Sequence, residues 1–430
     1  MTTAEDGGAQ PWNRRVLRSI NEQVLFNALR DAGTTSRAQL ARSTGLSKPT
    51  VSAALANLEQ AGLVRRTGET LQGRGRGRAA VLYEPDPTAA YVVGLDIGRQ
   101  WIRAAVAGLD GQPVARRDAP NEATSAAATV HSAVLLARSV AEGAGVAWSE
   151  VVHAVVGGPG VIDPRTHRVH YASNLPDWEQ SGLFERLRDE LGTGLDMLND
   201  ADLAALGEYA SGAGQGCPLF AYLWVGTGVG AGFVIDGKVF HGARGAAGEI
   251  GYLPFFPLPV EGEGTGEKGR IERRDGGGGQ DSTGDDAPIR RGLLEDAVAG
   301  DGVVRLARAL GMKGAASAKE VFDAARDGDE VARRVVEHEA ARLAHAVAAL
   351  AAVLDPELVV LGGGIGRNTD VLLGPLRVAL KRLTPLHPRV AAAKLGDDAV
   401  LLGALATAAE TARKRVFDDR ALLGVASGDE

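Results

Sequence analysis

The sequence predicts an α/β protein in two parts: a small three-helix head with a wing, followed by a larger body in which strands and helices alternate. Three observations carry this. Charge is divided unevenly, since residues 1–82 hold 12 Lys and Arg against 6 Asp and Glu (net +6), while the rest of the chain nets −13. Apolar residues in the head recur at helical spacing, and those from about Tyr91 onward fall into short strand-like runs separated by amphipathic stretches. At 430 residues the chain exceeds what one compact core supports.

The head is expected over 16–84, after a flexible stretch at 1–15. Val16, Leu17, Ile20, Val24, Leu25 and Leu29 share helical spacing, and Gly33 stands where a helix would be closed. "SRAQLARST" starts a second helix at Ser36, and "SKPTVSAALANLEQAG" a third, with Ser47 as cap and Pro49 in its first turn. Ala41, Gly45 and Val51 fall where a helix-turn-helix needs a small contact residue, a left-handed turn and a buried anchor, with Leu40, Leu46, Leu55 and Leu58 completing the core. "LVRRTG" and "RAAVLYEP" read as two strands joined by "ETLQGRGRG", a wing.

A basic winged helix-turn-helix on an acidic body implies that only the head meets a polyanion. The third helix would offer Ser47, Lys48, Thr50 and Ser52 to the major groove of double-stranded operator DNA, and Arg65 and Arg66 to phosphates. Arg74, Arg76 and Arg78 alternate with glycine in the wing loop and suit the negative potential of an A·T-rich minor groove. The rival reading of the head is a helical protein-interaction module with solvated charges.

The body is expected over 88–415, with a tail at 416–430. "YVVGLDIG" and "WIRAAVAGLDG" form a hairpin, a helix follows at about 124–143, and then come the strand "VVHAVVGGPGVID", the stretch "YASNLPDW" and a helix over 183–191. "LDMLNDADLAALGEYASGAG" supplies a strand, a polar turn and a helix, and "LFAYLWVGTGVGAGFVIDGKVF" a glycine-rich hairpin. The segment at about 261–286 is one-third glycine and otherwise mostly polar, so it reads as a flexible insertion. The strand "ELVVLGGGIG" and a last helix at about 398–415 close the body.

Together these residues resemble the ROK family of repressors, open reading frames and sugar kinases. The most specific stretch is "VGTGVGAGFVIDGKVFHGARGAAGEIGY" at 225–252, supported by "NDADLAALGE" and "DPELVVLGGGIG" in matching order. The resemblance covers nearly the whole chain, including the winged head of the family's regulator branch, and implies an actin/hexokinase-like body with two lobes around a cleft. It implies that Asp200 occupies the general-base position of the sugar kinases, where a carboxylate can equally hold a sugar hydroxyl without phosphoryl transfer. It likewise places Asn174, Asn199, Glu249 and Glu295 at sugar-contacting positions. "GTGVGAG" (226–232) and "GGGIG" (362–366) resemble a phosphate loop and an adenosine-contacting loop.

Three departures weigh against a kinase. The family's first phosphate hairpin reads Asp-x-Gly-Gly-Thr-Lys, and this chain keeps Asp96 and Gly98 but continues with Arg99, Gln100 and Trp101, which would crowd a triphosphate. Tyr252 replaces the histidine of the family's structural zinc site, and Cys217 is the single cysteine of the chain, so no zinc cofactor is expected. The glycine-rich insertion falls where the cysteine cluster would lie. The reading is therefore a repressor of carbohydrate-related genes with no catalytic residue in use and no ATP requirement. It would bind its operator as a homodimer or dimer of dimers and respond to a sugar or sugar derivative. The alternative is an ATP-dependent, glucokinase-like sugar kinase that also binds DNA. The acidic, polar start lacks a signal-peptide pattern, and "AHAVAALAAVL" (344–354) is too short to span a bilayer, so a cytoplasmic protein without membrane contact is expected.

Overall fold

The computed structural model describes residues 14–71, 80–172, 175–255 and 292–426. Arg74, Arg76 and Arg78 of the wing loop, Asn174, and the glycine-rich insertion lie outside them.

The head is built from α1 (Arg14–Ala32), β1 (Thr35–Ser36), α2 (Arg37–Thr44), α3 (Lys48–Gln60), β2 (Val64–Leu71) and β3 (Ala80–Pro85). Ser36 caps α2 in a reciprocal capping box with Gln39, Gly45 ends α2 at φ +71°, and Ser47 caps α3 through the Thr50 N–H. Leu25, Leu29, Leu40, Val51, Leu55 and Leu58 are buried together, as the turn geometry requires. The three strands form a sheet in the order β1-β3-β2, of which β1 was not expected. Leu17, Ile20 and Val24 of α1 share the helical spacing but stay exposed, because only the face carrying Leu25, Phe26 and Leu29 meets the core.

The body repeats one topology twice. In the first lobe, β4 (Tyr91–Ile97), β5 (Trp101–Gly108) and β6 (Pro113–Pro120) make an antiparallel meander. The chain then passes through α4 (Ala126–Gly143) to β7 (Val151–Gly158), beside which β8 (Val161–Ile162) and β9 (Val169–His170) form a small hairpin. α5 (Leu183–Leu191) leads to β10 (Gly194–Asn199), giving the sheet β10-β7-β4-β5-β6 with β10, β7 and β4 parallel.

α6 (Asp200–Ser211) then crosses to the second lobe. There β11 (Leu219–Val225), β12 (Val229–Ile235) and β13 (Lys238–Val239) make another meander. The helices α7 (Leu293–Val298), α8 (Gly300–Ala309), α9 (Ala318–Asp327) and α10 (Glu330–Leu354) precede β14 (Leu358–Gly362). α11 (Gly363–Gly366), α12 (Thr369–Leu383) and β15 (Arg389–Ala392) complete the sheet β13-β12-β11-β14-β15, in which β14 and β15 run parallel to β11.

α13 (Ala399–Ala426) returns to the first lobe and the head. It is longer than expected, and the 416–430 segment read as a tail is helical as far as Ala426. The reason is packing: Phe417 is buried with its ring 6.3 Å from that of Phe26 in the head, and Arg420 donates to the Ala61 carbonyl (2.8 Å) and the Ala89 carbonyl (2.6 Å). α13 also lies directly on α6, where a Cβ on Gly403 would collide with the Leu203 carbonyl and one on Gly207 with the Ala399 carbonyl. Glycine at both positions lets the two backbones touch. Among the described residues, no helix is long and apolar enough to cross a membrane.

Candidate effector cleft and DNA-facing head

The ends of β4 and β10 and the loops of the second lobe converge between the lobes. β4 delivers Asp96, which is buried and paired with Arg103 at 2.7 Å. Burial outweighs that pairing and still raises the Asp96 carboxyl above the usual range. β10 ends on Asn199, whose carbonyl oxygen caps α6 by accepting from the Ala201 and Asp202 amides, while its amide donates to the Gly160 carbonyl (3.0 Å). Asn199 thus ties the start of α6 to the loop after β7.

Asp200 follows as the first residue of α6. Its carboxyl is pushed up to about 7, first by burial and then by the negative charges of Asp96 and Glu249. Glu249 precedes a short 3-10 turn, Ile250–Tyr252, and is likewise pushed up to about 7 by burial and by Glu295 and Asp202. The loop carrying Glu249 is held by Gly248, which has φ +98° and packs where a Cβ would strike the Ala231 carbonyl. Glu295 on α7 reaches the glycine hairpin, where its Oε2 accepts from the Val229 N–H at 3.3 Å. Asp96, Asp200, Glu249 and Glu295 therefore form one acidic cluster in which burial and mutual repulsion raise the Asp200 and Glu249 carboxyls to about 7. Such groups can donate to or accept from hydroxyls, the chemistry that recognises a polyol.

The structure thus brings Asn199, Asp200, Glu249 and Glu295 together, while Asn174 lies outside the described residues. Two features were not singled out from sequence. Asp202, in the first turn of α6, is buried and paired with His241 at 3.0 Å, which raises the His241 pKa. Tyr252 meets Tyr171 edge-on at 6.0 Å. Both are pairings across distant segments, and only the "ND" and "GEIG" neighbourhoods hinted at them.

Other side chains stand at the family's first phosphate hairpin and at its zinc histidine. In the first hairpin the Gly98 amide donates to the Trp101 carbonyl, Arg99 and Gln100 are exposed at the turn, and the Trp101 ring projects half-exposed. The Glu295 carboxylate also occupies the Val229 amide of the glycine hairpin, an unfavourable neighbour for a phosphate. Tyr252 meets the Tyr171 ring, and Cys217 is buried beside Arg389, with its Sγ 3.6 Å from the guanidinium.

In the head, Lys48 is exposed at the start of α3 and Ser52 is half-buried one turn on. The Ser47 and Thr50 hydroxyls bond each other at 2.8 Å. Arg65 is engaged by Glu84 (2.8 Å) and Arg66 by Glu59 (2.8 Å), so both must exchange a carboxylate to reach a phosphate. Arg37 packs over the buried Tyr83 ring at 5.3 Å, bracing α2 against β3.

A winged helix-turn-helix head joined to a two-lobed body with an acidic interlobe cleft defines a class of regulator built on a sugar-kinase scaffold. The ROK family profile matches residues 92–411, and the chain belongs to the ROK family. Residues 23–75 match the MarR family. A glucokinase of Halalkalibacterium halodurans is 32% identical over 73% of this chain and 93% of its own length. A protein of Caldicellulosiruptor sp., provisionally named a xylose repressor, is 26% identical over 92% of this chain and 96% of its own, head included. Among solved structures, a ROK family transcriptional regulator, described as a homologue of the E. coli Mlc protein, shares the fold over 96% of this chain and all of its own (TM-score 0.72, 18% identity). The ROK hexokinase of Thermus thermophilus covers 75% of this chain and 99% of its own (TM-score 0.59, 29% identity).

Proposed function

We propose that this protein is a cytoplasmic, DNA-binding transcription regulator, a repressor of carbohydrate-related genes that is released from its operator by a sugar or sugar derivative. The observation that carries the reading is the path of α13. At one end its backbone touches α6, the helix that begins at Asp200, and at the other it is buried against the head. A ligand that draws the lobes together around Asp200 therefore acts on the helix that holds the head.

In this reading two heads of a homodimer occupy half-sites one or two helical turns apart, and lobe closure changes their spacing. Lys48, Ser47, Thr50 and Ser52 face the major groove, Arg65 and Arg66 the phosphates, and Arg74, Arg76 and Arg78 the minor groove. Asn174, Asp200, Glu249 and Glu295 contact the sugar, and Asn199 fixes the cleft they line. The ligand can release DNA only through a preference for the closed arrangement, because equal affinity for both shifts nothing. The test is operator binding on genomic fragments, repeated with a panel of hexoses, pentoses and amino sugars, with and without ATP. Release by one sugar without ATP supports the reading, and the absence of any shifted fragment at low salt overturns it.

A second reading, an ATP-dependent sugar kinase that also binds DNA, is favoured by Asp200, by the glycine loops at 226–232 and 362–366, and by the 32% identity to the glucokinase of Halalkalibacterium halodurans. The Asp200 carboxyl near 7 suits a general base. A coupled assay separates the two, because turnover that Asp200→Asn abolishes would establish the kinase.

A further inference from the structure

Tyr171 and Tyr252 stand at the mouth of the cleft on opposite lobes. Tyr171 follows the β8–β9 hairpin of the first lobe, and Tyr252 ends the turn after Glu249 in the second. Their rings meet edge-on at 6.0 Å, yet Tyr171 is 62% exposed and Tyr252 38% exposed. Leu293, also exposed, follows Gly292, which packs so closely on Gly251 and Tyr252 that a Cβ there would collide with both. Among the described residues, two aromatic rings thus stand at the mouth above an acidic floor.

The backbone holds Tyr171 in this place at a cost. Its φ of +59° is a conformation rarely adopted by residues with a bulky side chain. The next residue, Ala172, is buried, and its amide donates to Glu179 at 2.8 Å. Gly160 packs beneath, where a Cβ would lie 2.6 Å from the His170 carbonyl and 2.7 Å from the Ala172 side chain. A strained residue fixed by its surroundings and left exposed at a cleft is a mark of function rather than of packing. Burial raises the Tyr252 phenol, and the described charged groups bearing most strongly on it are the carboxylates Glu249, Glu295 and Glu179.

We propose that Tyr171 and Tyr252 form an aromatic rim that receives a second, uncharged ring of the effector, so that the site takes a two-ring glycoside rather than a free monosaccharide. The inference rests on the reading of the acidic cleft as a sugar site. The hydroxylated ring sits among Asp200, Glu249 and Glu295, and the apolar face of the second ring, a further sugar or an aryl group, packs on the two tyrosines. Because the tyrosines belong to different lobes, seating that ring also favours closure.

The test is calorimetric titration of the full chain with the methyl and phenyl β-glycosides of glucose, xylose and N-acetylglucosamine, and with cellobiose. The expected result is that a two-ring probe binds about three- to ten-fold more tightly than the methyl glycoside of the same sugar. That ratio should fall toward one in the Tyr171→Ala, Tyr252→Ala double variant and persist when both tyrosines become phenylalanine. If the double alanine variant does not fold, Tyr171→Ser alone should lower the ratio, since its side chain is mostly exposed. A gain for cellobiose alone identifies a sugar as the second ring, and a gain for the phenyl glycosides alone an aryl group. Equal affinity for one-ring and two-ring probes, or a ratio untouched by the alanines, overturns the rim while leaving the sugar site standing. Failure of every probe to bind a folded protein overturns the sugar site, and the rim with it.

Discussion

The ring of Phe417 near the end of α13 lies 6.3 Å from the ring of Phe26 in α1, with both residues buried. One hydrophobic core therefore runs from the head through α13 into the body. Phe417→Ala should lower stability by about 3–5 kcal/mol, the usual cost of emptying a buried aromatic site, measured as a lower urea midpoint. Arg420→Met keeps the bulk but removes both bonds to Ala61 and Ala89. It should leave operator binding intact while shrinking the change in operator affinity that the effector produces. A full effector response in this variant would place the coupling elsewhere.

Glu339 of α10 is fully buried, and among the described residues neither of its carboxylate oxygens has a hydrogen-bond partner. Burial pushes its carboxyl up to about 8 from the 4.5 of a free side chain. The folded state then holds the proton more tightly than the unfolded chain does, so this residue makes stability fall as pH rises from about 4.5 to 8 and level off above. Glu339→Gln removes that slope. The variant should be more stable than the parent at pH 8.5 by about 1–3 kcal/mol, with a smaller difference at pH 5.5, both read from urea denaturation.

The helix-turn-helix was legible in the sequence because its determinants are local. Ser36, Gly45, Ser47 and Val51 act within a few residues of themselves, and all four take the predicted roles. The cleft was legible where a strand runs into a polar turn, as at Asp200, or where a glycine fixes a loop, as at Gly248. The end of α13 was not. From Arg413 to Arg420 six of its eight residues are charged, and nothing in "RKRVFDDR" says that Phe417 has a partner some 390 positions earlier. Tyr171 and Tyr252 were hidden in the same way, since their meeting depends on how two lobes face each other.

The head offers a prediction that separates structure from contact. Ser47 serves as a cap, and Ser47→Ala should cost about 1 kcal/mol of stability whatever its part in DNA binding. Lys48 is exposed, so Lys48→Ala should leave stability unchanged. If Lys48 neutralises a phosphate, the variant should weaken binding to all sequences alike and reduce the slope of log affinity against log salt by about one. Fluorescence anisotropy with operator and scrambled duplexes across a salt series gives both quantities, and an unchanged slope would remove Lys48 from the interface.

Asp200 and Glu249 predict opposite pH trends for stability and for ligand binding. Each carboxyl lies near 7 in the folded protein, and the two repel, so their protons leave as those of a coupled pair. Their raised values mean that the stability of the unliganded protein falls as pH climbs from about 4 toward 7 and is flat above. A sugar hydroxyl donates more strongly to an ionised carboxylate than to a neutral acid. Effector affinity should therefore rise through the same window, by up to about ten-fold per pH unit for each proton that must leave, and reach a plateau above pH 8. Asp200→Asn should flatten the affinity profile and part of the stability slope together. Calorimetric titration between pH 5.5 and 8.5 checks the first, and thermal denaturation over the same range the second. An affinity profile that is flat in the parent protein would mean that no ionised carboxylate receives the effector, and would move the sugar contacts away from Asp200.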